Sequence, residues 1–111
     1  MAKVLIIDDS AVMRKIIQRN IMQSGLLVDS FVEAGDGREG LEKATTGDVD
    51  LILCDWNMPN MTGIDFVKAL RGSGQKNNIP IVMVTTEGSD AKIEEAKNSG
   101  ANGYLTKPFT P

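Results

Sequence analysis

The sequence predicts an α/β domain built on a doubly wound parallel sheet of five strands. Three observations carry that expectation. The apolar period switches repeatedly between 2 and 3.6, so strand-like and helix-like segments alternate along the chain. The strand-like segments are short, nearly continuous apolar runs, such as KVLIID at 3–8 and DLILCD at 50–55. Strands buried on both faces read this way. The helix-like segments open on capping residues, and several end at a glycine. Five strands alternating with four helices imply right-handed crossovers and helices on both faces of the sheet.

The elements follow in order. The first strand covers 3–8. Ser10 then caps a helix whose apolar stripe is Val12, Met13, Ile16, Ile17 and Ile21, and Gly25 ends it. The second strand covers 27–34. Asp36 caps a short second helix reaching about Thr45. The third strand covers 50–55. Thr62 opens a third helix with Asp65 three residues on, close to a capping box, and Gly72 follows its last turn. The fourth strand covers 79–85. Ser89 caps a fourth helix that stops at Gly100, and the fifth strand covers 102–106. At this length the expected form is flavodoxin-like, with strand order 2-1-3-4-5. That order sets strands 1 and 3 side by side where the winding reverses, and ligands bind there, outside the carboxyl ends of the strands.

Thr110 and Pro111 read as the N-cap and first residue of a fifth helix that the 111 residues do not contain. The expectation is one domain over 1–111, truncated before that helix, with half of one sheet face bare. Further chain would cover the face, or a second copy or another chain would, as a dimer or swapped assembly.

Composition narrows the function. An apolar fraction of 41% supports a packed core. Charges are mixed in sign with a net of −3, which does not suit a nucleic-acid binder. No apolar run approaches the roughly 20 residues that span a bilayer, and the N-terminus lacks a secretion-signal layout, so the expected location is cytoplasmic. One cysteine makes neither an internal disulfide nor a structural zinc site, and Cys54 is expected to be a small core thiol facing away from Asp55. The methionines at 13, 22, 58, 61 and 83 are expected to pack rather than line a groove. Histidine is absent, which removes the usual general base.

The chemistry gathers on one sheet edge. At the carboxyl ends of the strands stand Asp8 and Asp9, then Asp55, Thr85 and Lys107. Singly these are weak signals: acids favour helix N-termini and turns. Jointly they are stronger. Three carboxylates from adjacent strands repel one another unless a divalent cation joins them, and oxygen-only ligands with few carboxylates suit Mg2+. Lys107 and Thr85 add a positive charge and a hydroxyl opposite. A carboxylate nucleophile, a metal and donors for phosphoryl oxygens together equip a site for phosphoryl transfer.

The set also resembles response-regulator receiver domains, most closely the stand-alone chemotaxis branch, from Lys3 to Phe109. The matching pieces are Asp8-Asp9, the stretch DWNMPNMTG at 55–63, VTTE at 84–87, Gly100-Ala101 and GYLTKPF at 103–109. The resemblance implies that Asp55 is phosphorylated by a separate sensor histidine kinase, so the chain needs no histidine of its own. It implies Mg2+ ligands at Asp9, Asp55 and the carbonyl of Asn57, with Asp8 as an outer acid acting through water. It implies a phosphoryl contact from Lys107, a switch hydroxyl at Thr85, an aromatic switch at Tyr104 and a cis bond before Pro108. The phosphoryl group would leave by hydrolysis in the same site, making the chain a self-dephosphorylating switch rather than an enzyme with turnover. The branch implies a flagellar motor switch protein or a phosphatase as partners. Thr86 is larger than the usual residue beside the switch and would slow access to the phosphate. Asn57 and Glu87 flank the pocket as in regulators with short-lived phosphoryl groups. Thr62, often an acid in this branch, reads simply as a cap. The resemblance implies that a fifth helix, which the 111 residues do not contain, forms the output surface together with the fourth helix and the fifth strand.

Rival classes remain. Gly35-Asp36-Gly37-Arg38-Glu39-Gly40 fits a dinucleotide fingerprint but lies at the sheet edge and leaves Asp8, Asp9, Thr85 and Lys107 without a task. A phosphatase-type enzyme usually spaces its first-strand acids two apart, whereas these are adjacent. An interaction module that does not depend on phosphorylation predicts no role for Asp55.

Overall fold

A computed structural model of the chain describes residues 2–25, 28–56, 61–72, 79–85 and 90–106. Among these residues nine elements alternate: β1 (Ala2–Ile7), α1 (Ala11–Gln23), β2 (Val28–Ala34), α2 (Gly37–Thr46), β3 (Leu51–Asp55), α3 (Gly63–Gly72), β4 (Ile81–Thr85), α4 (Asp90–Ser99) and β5 (Gly103–Thr106). The strands form one parallel sheet in the order β2-β1-β3-β4-β5, as the alternation predicted. Ile7 pairs with Ala34 on one side and Cys54 on the other, which sets the ends of β1 and β3 side by side.

The side-chain alternation of the strands divides the core in two. Leu5, Ile7, Ile52, Cys54, Ile81 and Met83 face the layer that holds Ala44 of α2, Ile64, Phe66, Val67 and Leu70 of α3 and Ala96 of α4. Val4, Ile6, Leu53 and Val84 face α1 through Ile17, with Met13 and Ile21 beside it. Asp8 continues the parity of Val4 and Ile6, and Asp55 that of Leu53, so both acids leave the strand ends toward the α1 side. Cys54 leaves on the opposite face, as expected. Beyond α1, a groove of about 520 Å³ lined by Ile17, Ile21, Leu51, Val82 and Tyr104 runs toward β5.

The helix starts follow local chemistry. Ser10 Oγ accepts the Met13 amide at 3.2 Å, Asp36 Oδ1 accepts the Glu39 amide at 2.8 Å, and Thr62 Oγ1 accepts the Asp65 amide at 3.2 Å. α1 and α4 give way to Gly25 and Gly100, both at positive φ, where a side chain would be strained.

Several boundaries shift. β1 runs from Ala2 to Ile7, so Asp8 lies just past the strand. Its amide still bonds Ala34 O at 3.1 Å, but Ser10 N then turns back to Asp8 Oδ1 at 2.9 Å and the ladder stops. β4 begins at Ile81 rather than Ile79, because Pro80 has no amide to offer a ladder. Val12 does not join the buried stripe; it is 71% exposed, since α1 meets the sheet through Met13, Ile17 and Ile21. Met22, expected to pack, is likewise exposed at the outer side of the last turn of α1. Met83 is fully buried, and Met13 and Met61 pack at the edges of the two core clusters. Leu27, Met58, the Ser89 cap and the Thr110-Pro111 pair lie outside the described residues. No helix among the described residues is long and apolar enough to cross a membrane.

Candidate functional site

The site is assembled where β1 and β3 end side by side at one sheet edge. β1 runs into the Asp8-Asp9-Ser10 turn, and Ser10 starts α1. Asp8 is buried at 1% exposure, while Asp9 faces solvent. β3 ends on Asp55, which is 6% exposed and pairs with Val84 of β4. Beyond it, the Trp56 amide donates to Val84 O at 2.9 Å, and the Gly63 amide donates to Trp56 O at 2.9 Å. α3 thus starts directly against the end of β3. One carboxylate oxygen from each of Asp8, Asp9 and Asp55 lies within 4.8 Å of the others. Two of these three neighbouring acids are buried, and like charges this close repel one another. The donor set is all oxygen and gathers at one point, which fits a hard divalent ion such as Mg2+.

The remaining predicted residues divide by position. Thr85 ends β4 and pairs with Thr106, one residue beyond the strand partner of Asp55, so its backbone is at the same edge. Tyr104 pairs with Met83 on β5 and is 38% exposed. Asn57, Lys107, Thr86, Glu87 and the Lys107-Pro108 bond lie outside the described residues. Burial pushes the Cys54 thiol well above its ordinary range, with the charges of Asp55 and Asp8 adding to the shift, so it stays protonated as a core group.

One set of residues near the site was not anticipated. Arg14 of α1 donates from Nε to Glu33 Oε1 at 2.8 Å and from Nη1 to the Asp8 carbonyl at 2.5 Å. Lys15 Nζ donates to Glu33 Oε2 at 2.8 Å. Hydrogen bonds from Lys15 and then Arg14 lower the Glu33 carboxyl to about 2. Its sequence trace is slight: an acid one residue before the end of a strand, and a pair of cations one turn into the helix before it.

The glycine motif at 35–40 has a packing cause. A Cβ on Gly40 would lie 2.4 Å from Ile7 Cδ1, and one on Gly37 would lie 2.9 Å from Met61. The amides at the start of α2 are also taken: Glu39 N by Asp36, and Gly35 N by Glu39 Oε1 at 2.5 Å. A dinucleotide pyrophosphate needs those donors and a site free of carboxylates. The motif therefore packs α2 onto β1.

Comparison with known proteins agrees with this geometry. The response regulator receiver domain family matches residues 4–111. The chemotaxis protein CheY1 of Helicobacter pylori is 42% identical over 110 residues, covering 98% of this chain and 87% of the relative. The chemotaxis protein CheY of Pseudomonas aeruginosa is 42% identical over 108 residues, covering 97% and 86%. The solved structure of the Vibrio cholerae chemotaxis response regulator CheY4 superposes with a TM-score of 0.87 at 46% identity, covering 100% of this chain and 90% of that one. Family match, identity over nearly the whole of this chain and a shared fold with acids at its switch point together place the protein: the chain belongs to the response regulator receiver domains of two-component signalling, and to their CheY-like chemotaxis type.

Proposed function

We propose that residues 1–111 form one receiver unit that accepts a phosphoryl group on Asp55. The observation that carries this reading is the convergence of the Asp8, Asp9 and Asp55 carboxylates at the β1/β3 switch point. Asp55 is the member placed on a strand end, buried and fixed by the β4 ladder, as a nucleophile must be held. Its carboxylate oxygen attacks the phosphorus of a phosphohistidine on a sensor kinase. The P–N bond breaks, and its electron pair stays on the imidazole nitrogen of the donor.

Asp8, Asp9, Asp55 and the Asn57 carbonyl would hold Mg2+, with Asp8 acting largely through water. The ion supplies positive charge for the phosphoryl oxygens and relieves the repulsion among the three acids. Lys107 neutralises a further phosphoryl oxygen, and Thr85 donates its hydroxyl to another. Water in the same site attacks the phosphorus, the bond to Asp55 breaks, and inorganic phosphate leaves. The chain is therefore a substrate and a self-limiting switch.

Thr85 drawn toward the phosphoryl group makes room for Tyr104 to turn inward. The surface around α4 and β5 shifts in population as a result. Resemblance to the CheY proteins supports a chemotaxis output, with a flagellar motor switch protein and a phosphatase as partners in the cytoplasm. The apolar groove between α1 and β5 is the surface that a second copy or another protein would cover.

The test is chemical. The chain is incubated with Mg2+ and a small phosphodonor and followed by intact mass and by the fluorescence of Trp56, which adjoins Asp55 and is 6% exposed. One phosphoryl group per chain is expected, dependent on Mg2+ and lost in Asp55→Asn. An unmodified wild-type chain overturns the reading.

A further inference from the structure

The two acids just past β1 are consecutive, and the backbone on both sides of Asp8 is held from outside the acidic cluster. The Asp8 amide donates to Ala34 O at 3.1 Å, and the Asp8 carbonyl accepts Arg14 Nη1 at 2.5 Å. The carbonyl lies in the plane of the Asp8-Asp9 peptide. With its amide and its carbonyl both held, the Asp8 backbone is fixed on either side of its Cα, which orients the Asp8 side chain and sets the direction in which the chain leaves for Asp9. Arg14 is itself fixed, because its Nε bonds Glu33 Oε1 at 2.8 Å and its side chain is 17% exposed. Glu33 sits in β2 opposite Ile6 of β1, and its main-chain carbonyl accepts Lys43 Nζ from α2. Two partners thus meet one guanidinium: Glu33, itself tied to α2, on one arm and the carbonyl between the two acids on the other.

We infer that Arg14, anchored by Glu33, is a positioning residue that sets the Asp8 and Asp9 carboxylates for Mg2+. The inference rests on the Mg2+ reading of the acidic site. Mg2+ demands near-ideal octahedral geometry, so small errors in ligand direction cost affinity. Partners behind the ligands commonly carry tenfold or more of metal affinity.

The sign of the effect separates positioning from charge. Arg14 is a cation beside a cation site. If its charge alone mattered, removing it would tighten Mg2+ binding. If its two-point hold matters, removing it weakens binding.

The experiment titrates the full chain with Mg2+ alone, reads Trp56 fluorescence, and records the metal-free thermal midpoint of each variant. Arg14→Ala is expected to raise the Mg2+ midpoint about tenfold. Arg14→Lys keeps the charge but lacks the fork that spans both partners, so its midpoint should also rise several-fold; it decides the matter if Arg14→Ala does not fold. Lys15→Ala removes the other, exposed partner of Glu33 and leaves the bonds of Arg14 intact, so its midpoint should stay at or below that of the wild type. An Mg2+ midpoint unmoved or lowered in Arg14→Ala, a wild-type midpoint in Arg14→Lys, or an equal rise in Lys15→Ala would each overturn the inference. A wild-type chain that gives no saturable Mg2+ response would instead refute the metal reading itself.

Discussion

Gly63 is the point where α3 is pressed against the residue proposed to carry the phosphoryl group. Its missing side chain is a steric requirement. A Cβ built there would lie 2.4 Å from the Asp55 carbonyl oxygen, 2.6 Å from Met83 Cε and 3.0 Å from Trp56 Cα. The methionine methyl can move aside, but the other two are backbone atoms of β3 and the residue after it. Gly63→Ala therefore lifts the start of α3 by a good fraction of an ångström or displaces the end of β3. Overpacking of this kind costs about 1–3 kcal/mol, and the better helix propensity of Ala recovers less than about 1 kcal/mol at a helix start. A net loss of about 2 kcal/mol follows, which lowers the melting midpoint by about 8 °C for a chain of this size. Gly72 closes the same helix, and a Cβ added to it would meet nothing within 4 Å, so Gly72→Ala is the internal control and stays within about 0.5 kcal/mol of the wild type. Thermal melts and urea titrations followed by circular dichroism and by Trp56 fluorescence measure both variants. If Gly63→Ala loses no more stability than Gly72→Ala, the close approach of α3 to Asp55 is wrong.

Three other outcomes are expected. Glu33 has a folded-state pKa of about 2 against an ordinary 4.5, so its pairing stabilises the fold above about pH 4.5 and the stabilisation fades as pH falls toward 2. For a partly solvated pair the effect is about 1 kcal/mol, and the stability gap between wild type and Glu33→Gln should be flat from pH 7 to about pH 5 and shrink below that. The Cys54 thiol, fully buried and raised above its ordinary pKa, should resist thiol reagents in the native chain and react at the rate of unfolding; fast labelling under native conditions would contradict its placement in β3. Thr85→Ala should still be phosphorylated but should lose the change around Tyr104, read by NMR shifts of β5 and α4; a normal response would break the proposed coupling.

Much of the architecture was legible because parallel strands buried on both faces must be apolar throughout. The runs at 3–8 and 50–55 therefore stood out, and the acids that end them marked the sheet edge. Capping residues located the helix starts for the same reason: Ser10, Asp36 and Thr62 each satisfy an amide that the helix leaves open. Which part of an amphipathic helix lies over the sheet was not legible. Val12 fits the apolar period of α1 yet stands clear of the core, because the crossing of helix and sheet, not the period, decides contact. The glycines at 35–40 showed the limit of a motif read alone, since only the register of α2 on Ile7 distinguishes packing from phosphate binding. Arg14 and Glu33 were invisible for a related reason. They are 19 residues apart, and nothing local signals that strand register sets them beside the carbonyl of Asp8. The acids of the site were readable because strand ends are a topological address; the residues that hold those acids still depend on tertiary contacts.

The most direct measurement is the location of the modification. After phosphorylation by a small donor with Mg2+, borohydride reduces an acyl phosphate on aspartate to homoserine, and peptide sequencing by mass spectrometry then finds the altered residue. Conversion at Asp55, with Asp8 and Asp9 intact, is the expected result. Homoserine at either of those two positions, or an unaltered Asp55 in a chain that has gained a phosphoryl group, would contradict the assignment of Asp55 as the acceptor.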